Sequence, residues 1–349
     1  MKEKLDYIVI GQGIAGTTIA WWLNFNKKQF YILNDEKKNT SSSAALGIYN
    51  PITGRNSVKT WNAEILFKEL EKFYSKVEKK IKKKILYKKN IYRPYKNIKE
   101  ANLWNEKISN SKYENYIKSE VNNKKINGLY NELGGIITSK SGYIDVNKYI
   151  SESKKYFIRL GRYKKYKLNN KKIIIKNNKI KIKNWKTNNI IMCIGIDETK
   201  NKLFSYLPFK HVTGSSMLIK TKLKIKNIIN KGISIIPLKN DLKNVGSTYG
   251  NETNNNGLQE LIDKLSKLLK IKYTIIKEKF GVRPATIDRR PFVGKHPIFD
   301  NLYILNGLGS KGISLAPFCS KKLFNSIEQK SKINFEINVK RYNSKNINK

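Results

Sequence analysis

The chain is poor in the residues that build metal centres and disulfide frameworks. Its 349 residues include two cysteines, Cys193 and Cys319, and two histidines, His211 and His296. Two cysteines without a CxxC spacing exclude a disulfide framework and a cysteine-based zinc motif. So few soft ligands leave no metal site to expect, and no histidine-based triad. No apolar run approaches the roughly 20 residues of a membrane helix. The apolar segment 7–10 is too short for a signal peptide and runs straight into Gly11. A cytoplasmic protein with no membrane partner is the expectation. Acidic residues are scarce as well, at 26 Asp+Glu against 71 Lys+Arg, a net charge of +45.

That charge has two readings. Lys and Arg neutralise phosphates, so a polyanion such as RNA is one candidate partner. The other is compositional drift toward AT-rich codons, which enriches Lys, Asn and Ile together. Only eight of the 71 basic residues are Arg, and the lysines are spread along the whole chain. Nucleic-acid recognition favours clustering and Arg, so the compositional reading is preferred. The densest run, Lys79-Lys80-Ile81-Lys82-Lys83-Lys84, reads as the solvated end of a helix over 63–84, where lysines also suit the helix dipole.

What is present is enough for a folded protein with a large core. Hydrophobic residues make up 39% and aromatics 11%, which is not the composition of a disordered chain. The length suggests about two domains. Residues 6–10 read as a buried strand, the apolar spacing from Ile14 to Leu23 as a helix, and 30–33 as a second strand, together a βαβ-type unit. Residues 39–54 read as a loop leading into a short helix. The stretch 100–150 carries weak signals. Alternating Lys and Ile over 168–185 suggest a two-stranded ribbon with one wet face. Residues 189–195 read as a strand ending on glycine, 217–249 as several strands, and 257–270 as an amphipathic helix. A strand over 302–305, a helix from about 316 to 329 and a frayed Lys/Asn-rich tail from 331 complete the reading.

The first chemical motif is Gly11-Gln12-Gly13-Ile14-Ala15-Gly16. A lone GxGxxG is weak, but a strand precedes this one, a helix follows, and an acid ends the next strand. Gly11 permits the tight turn, Gly13 lets the backbone approach a pyrophosphate, and Gly16 lets helix and strand pack closely. Backbone N–H groups at the helix start, around Ile14 and Ala15, then face the phosphates. The expected ribose acid is Asp35, with a register uncertainty of one residue because Asn34 precedes it. The motif suits NAD or FAD.

Four further segments carry a resemblance. Gly281-Val282-Arg283-Pro284-Ala285-Thr286-Ile287-Asp288-Arg289-Arg290-Pro291-Phe292-Val293-Gly294 looks like the G-x-R-P-x-T-x-D-x-x-P-x-I-G signature of the D-amino-acid-oxidase-like FAD-dependent oxidoreductases. Asn306-Gly307-Leu308-Gly309-Ser310-Lys311-Gly312-Ile313-Ser314-Leu315-Ala316-Pro317 resembles that family's second flavin-contacting glycine loop and helix start. Ser41-Ser42-Ser43-Ala44-Ala45-Leu46-Gly47-Ile48 resembles its Ser–Ala–Gly loop, and Ile190–Gly195 its second strand-to-glycine crossing. The motifs stand in the family's order and span most of the chain. The subgroup it is most similar to includes glycine oxidases and the FAD half of bifunctional tRNA wobble-uridine modifying enzymes.

The resemblance implies non-covalent FAD, since Cys319 does not match the position from which some relatives tether flavin, and Cys193 reads as core. It implies Gly11, Gly13, Ile14, Ala15, Gly16 and Asp35 at the adenosine end. Ser42, Ser43, Ala45 and Gly47 would run along the pyrophosphate. Gly195, Gly307, Gly309, Ser310, Lys311, Gly312 and Ile313 would lie at the flavin, followed by a helix N-terminus at Ala316-Pro317 that favours negative charge on the reduced ring. In the family the arginine of R-P-x-T holds the substrate carboxylate, which here is Arg283. Guanidinium binds carboxylate through two parallel hydrogen bonds, and Arg is rare in this Lys-dominated chain. Tyr249 is a weaker candidate for the substrate face, equally readable as a packed strand aromatic, and Asn50–Gly54 for the active-site wall. His211 reads as structural. No acid–base side chain is required, because an amine can pass hydride to flavin once neutral and positioned.

The expected fold is α/β, a Rossmann-like FAD domain of the glutathione-reductase type interleaved with an antiparallel-sheet substrate domain. Residues 1–60, 140–205 and 281–330 would form the first, 61–139 and 206–280 the second, and 331–349 a basic tail. The expected activity is oxidation of the C–N bond of a small amino acid or N-substituted glycine, with O2 or another acceptor reoxidising the flavin. A tRNA wobble-uridine substrate and a non-catalytic flavin-binding role are the alternatives.

Overall fold

A computed structural model describes the chain apart from residues 1–4, 37–39, 55–56, 122–125, 168–172, 177–178, 251–255 and 343–349. Its first strand, β1 (Leu5–Ile10), is apolar on both faces and almost wholly buried, as an inner parallel strand must be. α1 (Ile14–Phe25) crosses to β2 (Phe30–Asn34), which pairs in parallel with β1 from Tyr7↔Phe30 to Ile10↔Leu33. α1 is fixed by its buried face, where Trp21 Nε1 donates to Ser153 Oγ at 2.8 Å. That serine lies on α3 (Val146–Arg159); α2 (Ala63–Ile81) precedes it in the chain.

β3 (Trp185–Met192) pairs in parallel with the other side of β1, ending at Ile10↔Met192. Two long strands follow, β4 (Phe209–Lys220) and β5 (Thr274–Thr286). β6 (Phe292–Lys295), β7 (Leu302–Asn306) and α4 (Gly312–Glu328) close the domain order. β7 joins β3 in parallel, and the short strand Tyr163–Lys165 joins β2. Five parallel strands therefore run Tyr163–Lys165, β2, β1, β3, β7, with β6 antiparallel to β7. The Lys/Ile ribbon, Ile173–Lys176 against Lys179–Ile182, attaches to the start of β3; residues 168–172 and 177–178 of that segment lie outside the described residues.

A second eight-stranded sheet begins β5, β4, Leu242–Gly246, Ile233–Pro237 and Ile228–Lys231, and ends Ile91–Pro94, Gly135–Thr138, Ile117–Val121. Its pairs are antiparallel except Ile228–Lys231 with Ile91–Pro94. The β4–β5 ladder spans Phe209↔Thr286 to Lys220↔Thr274 and carries the end of β5 back toward the first sheet. The fold is the α/β arrangement expected, a Rossmann-like parallel sheet with a separate antiparallel one.

α2, from the segment grouped by sequence with the substrate unit, packs against α4. Its Leu66, Leu70, Tyr74 and Val77 share one apolar cluster with β1 and α1. The helix stops at Ile81, with Lys82 left-handed at φ 53°, so much of the basic run lies past its end. Two expectations need correction. α4 starts at Gly312, not Ala316, and Pro317 sits inside it. Proline has no N–H to give the Ile313 carbonyl; the Tyr74 hydroxyl donates to that carbonyl instead, at 3.2 Å. The tail is also not frayed over 333–342. Ile337 and Val339 are buried, and Arg341 grips Asp288 through Nε (2.7 Å) and Nη2 (3.2 Å). Residues 343–349 lie outside the described residues. Among the described residues, no helix is long and apolar enough to cross a membrane.

Candidate functional site

The strands β1, β2, β3 and β7 end on one edge of the parallel sheet, where open α/β sheets bind ligands. β1 ends into Gly11, whose φ of +95° and position 2.5 Å (as a would-be Cβ) from the Cys193 carbonyl admit only glycine. At Gly16 a Cβ would lie 1.9 Å from the Gly11 carbonyl oxygen. These two positions bring the start of α1 onto the end of β1. α1 has no side-chain cap of its own and no acidic residue in its first turn. The Ile14 N–H donates to Ser42 Oγ at 3.1 Å, and the first intrahelical bond is Thr17 N to Gly13 O. The N–H groups of Ala15 and Gly16 thus have no acceptor within the helix, and the positive end of its dipole faces the strand edge.

α4 brings a second N-terminus to the same place. A Cβ on Gly312 would lie 3.4 Å from Ile14 Cδ1, so the two helix starts are neighbours. Lys311 precedes Gly312 without capping it, and its Nζ lies 3.5 Å from Thr60 Oγ1. Burial, then the neighbouring Arg290 and Arg289, pull the Lys311 ammonium pKa down. Ser310 is exposed beside it, and the Ile313 side chain is buried.

Asn306 ties β3 to β7. Its Nδ2 donates to the Gly195 carbonyl and its Oδ1 accepts from the Gly307 N–H, both at 2.8 Å. Gly307 has φ +71° with Thr286 against it, whereas Gly195 and Gly309 have positive φ and open or loosely filled space before them. The serine loop spans the gap between the two sheets. Thr40 caps its short helix Ser41–Ala44 by accepting from the Ser43 N–H at 3.2 Å. Ser42 touches α1, and the Ala44 carbonyl accepts from Ser216 Oγ of β4 at 2.8 Å. Ala45 packs on the main core, and Gly47 at φ +72° has the Ile144 carbonyl 2.0 Å from its would-be Cβ.

Three polar residues end β2. Asn34 Oδ1 accepts from the Gln12 N–H at 3.1 Å. Glu36 is held below its usual pKa by Lys154 (2.5 Å) and the Tyr163 hydroxyl (2.9 Å). Asp35, between them, is half-buried directly after the strand.

Arg283 stands on β5 at the other side of this space. Its Nη1 donates to the Thr213 carbonyl at 2.8 Å and its Nη2 to the Thr248 carbonyl at 3.1 Å. The guanidinium lies over Gly214, where a Cβ would be 2.2 Å from Nη2, and 4.5 Å from the Tyr249 ring centroid. Burial pulls its pKa down, and among the described residues no carboxylate lies within ion-pair distance. Tyr249 itself is exposed. Strand residues two apart share a face. Arg283 therefore shares one with Ala285, which lies 3.8 Å from the would-be Cβ of Gly309. Their Cα positions on β5 are one pleat, about 7 Å, apart.

Several candidates stand apart. Cys193 and Cys319 are buried thiols with raised pKa values. His211 pairs across the ladder with Pro284, and buried His296 bonds the Leu203 carbonyl at 2.8 Å. Among the described residues no three His, Cys, Asp or Glu side chains are placed to hold a metal. Sequence reasoning placed Asn306 at the head of the second glycine loop but missed what its side chain holds. It also missed the Thr213 and Thr248 carbonyls, for which no sequence signal exists.

Residues 6–325 match the sequence profile of a family described as FAD dependent oxidoreductase. The chain belongs to this family. Among solved structures it is similar to glycine oxidase from Bacillus cereus ATCC 14579, at 18% identity and a TM-score of 0.76, covering 94% of this chain and 96% of that one. Glycine oxidase from Geobacillus kaustophilus is similar at 15% identity and a TM-score of 0.79, over 96% and 97% of the two chains. L-alpha-glycerophosphate oxidase from Mycoplasma pneumoniae, with FAD bound, is similar at 14% identity and a TM-score of 0.72, over 96% and 98%. At these identities the structures share the fold. The protein is an FAD-dependent oxidoreductase, and its cofactor is non-covalent FAD. The strand edge fits that group: two uncapped helix starts suit a pyrophosphate, and the open space at Gly195 and Gly309 suits a ring.

Proposed function

We propose that this oxidoreductase oxidises the C–N bond of a small amino acid or N-substituted glycine. The observation that carries the reading is Arg283, a half-buried guanidinium with no carboxylate partner among the described residues, on the strand whose Ala285 borders the glycine loop. Bound FAD would supply the electron acceptor, taking the α-carbon hydride at N5 and leaving an imine that water hydrolyses. Gly11, Gly13, Ile14, Ala15 and Gly16 would hold the pyrophosphate and Asp35 the ribose. Ser42, Ser43, Ala45 and Gly47 would line the path to the ring. Gly195, Gly307, Gly309, Ser310, Gly312 and Ile313 would frame the ring, with Lys311 adding positive charge.

Arg283 is built to receive an anion. The Thr213 and Thr248 carbonyls each take one N–H and fix the plane of the guanidinium. Tyr249 covers one face. The remaining N–H donors are left for a substrate carboxylate, which a planar fork binds bidentately. Orientation over the cofactor, rather than acid–base catalysis, is the protein's contribution. The test is anaerobic flavin reduction in Arg283→Met and Arg283→Lys. The substrate dissociation constant should rise at least a hundredfold in the first and less in the second. Unchanged binding in Arg283→Met would overturn the assignment.

A further inference from the structure

One buried acid has no part in the account so far. Glu198 lies in the 3-10 turn Gly195–Lys200 that follows β3, and it is fully buried. Its Oε1 accepts from Asn201 Nδ2 at 2.9 Å, and its Oε2 has no hydrogen-bond partner. The Asn306 amide also acts on this carboxyl. That same amide holds the Gly195 carbonyl and the Gly307 N–H. Glu198 thus shares its turn with Gly195, whose carbonyl Asn306 ties to Gly307.

The surroundings favour the neutral acid. The charged group that reaches it is Asp197 on its own turn, and the Cys193 thiol faces it from the end of β3. β4 and β5 pack across the turn, yet neither His211 nor Arg283 is among the groups acting on it. Burial pushes its pKa up to about 8, against the Asn201 and Asn306 amides, which favour the charged form.

We propose that Glu198, buried with an unpartnered oxygen in the turn it shares with Gly195, is a positioning residue for the cofactor that sets the Gly195 turn, and with it the Gly307 turn tied to it by Asn306, at the flavin end of the site. This rests on reading those turns as the flavin frame. Ionisation would place an uncompensated negative charge behind two turns that face an anionic dinucleotide. FAD affinity must then fall as pH rises through the titration of Glu198. By reciprocity, bound FAD must raise the pH at which Glu198 ionises.

The test is FAD binding to apoprotein by flavin fluorescence quenching from pH 6 to 9.5, in wild type and Glu198→Gln. Gln is of similar shape and stays neutral. Lys311 also loses charge as pH rises, and both proteins share that background. The wild-type dissociation constant should rise about tenfold more between pH 7 and 9 than that of Glu198→Gln. Equal profiles would overturn the proposal while leaving the cofactor assignment intact. A wild type that binds no FAD at any pH would overturn both. Infrared titration of the wild-type carboxyl keeps the test open if Glu198→Gln misfolds. A protonated-carboxyl band at pH 7 that persists to higher pH with FAD is expected. Its absence at pH 7, or indifference to FAD, would refute the role.

Discussion

Adding one methyl group at Gly16 should weaken both the fold and FAD binding. The Cβ of Gly16→Ala would lie 1.9 Å from the Gly11 carbonyl oxygen and 2.9 Å from its carbon. Relief to an ordinary contact requires a shift of more than about 1 Å in a close-packed interior. Neither side can give easily. The Gly11 N–H is bonded to the Leu33 carbonyl at 2.8 Å, and α1 is pinned on its far side by Trp21 to Ser153. Overpacking of this kind costs about 3 kcal/mol, the upper end of the usual range. The shift also moves the start of α1 off the position that faces the pyrophosphate. Losing up to about 2 kcal/mol of helix-terminus interaction weakens FAD binding roughly thirtyfold. Gly54→Ala is the control. Gly54 has φ +81° but nothing among the described residues within 4 Å of a Cβ, so the substitution costs about 1–2 kcal/mol of backbone strain and leaves FAD affinity alone. The assays are FAD titration by fluorescence quenching and thermal unfolding of the apoprotein. A Gly16→Ala protein that melts like wild type and binds FAD within twofold would refute the packing argument.

Other substitutions test other joints. Tyr74→Phe leaves the buried Ile313 carbonyl without a donor and should cost about 1–3 kcal/mol in denaturant unfolding; no loss would mean that the carbonyl finds another partner. Asp288→Asn weakens the fork to Arg341, so limited proteolysis should cut residues 333–342 faster than in wild type; equal rates would show that Ile337 and Val339 alone hold the segment. Glu64 is held at a pKa of about 2 by the side chains of Lys59 and Tyr116. A depressed carboxyl pKa contributes stability above its unfolded value, lost as pH falls through the folded one. The melting-temperature gap between wild type and Glu64→Gln should therefore close between about pH 4.5 and 2, and a constant gap would contradict the pairing.

The parts legible in the sequence were those where one residue type is dictated locally. Gly11 and Gly16 are required by contacts within a single βα turn, and their spacing alone announces them. Arg283 stood out because arginine is rare in this chain and lies in a recognisable segment. Long-range partners hid the rest. Pro317 reads as a helix start by local rules, but Tyr74, 239 residues before Ile313, supplies the hydrogen bond to the Ile313 carbonyl that lets the proline sit inside α4. The tail's Lys/Asn-rich composition masks Ile337, Val339 and Arg341, whose anchorage depends on Asp288 and on the loop that follows it. Glu198 gave no signal at all, since a carboxyl in a polar turn is ordinarily exposed.

The central claim is that this strand edge binds FAD and that Arg283 presents an amino acid to it. The most direct measurement is the visible absorption spectrum of the purified protein, before and after anaerobic addition of glycine, sarcosine and a panel of D-amino acids. The account predicts flavin peaks that bleach with at least one of these compounds. Flavin peaks that none of them bleaches would contradict the substrate proposal, and a colourless protein that FAD cannot reconstitute would contradict the whole account.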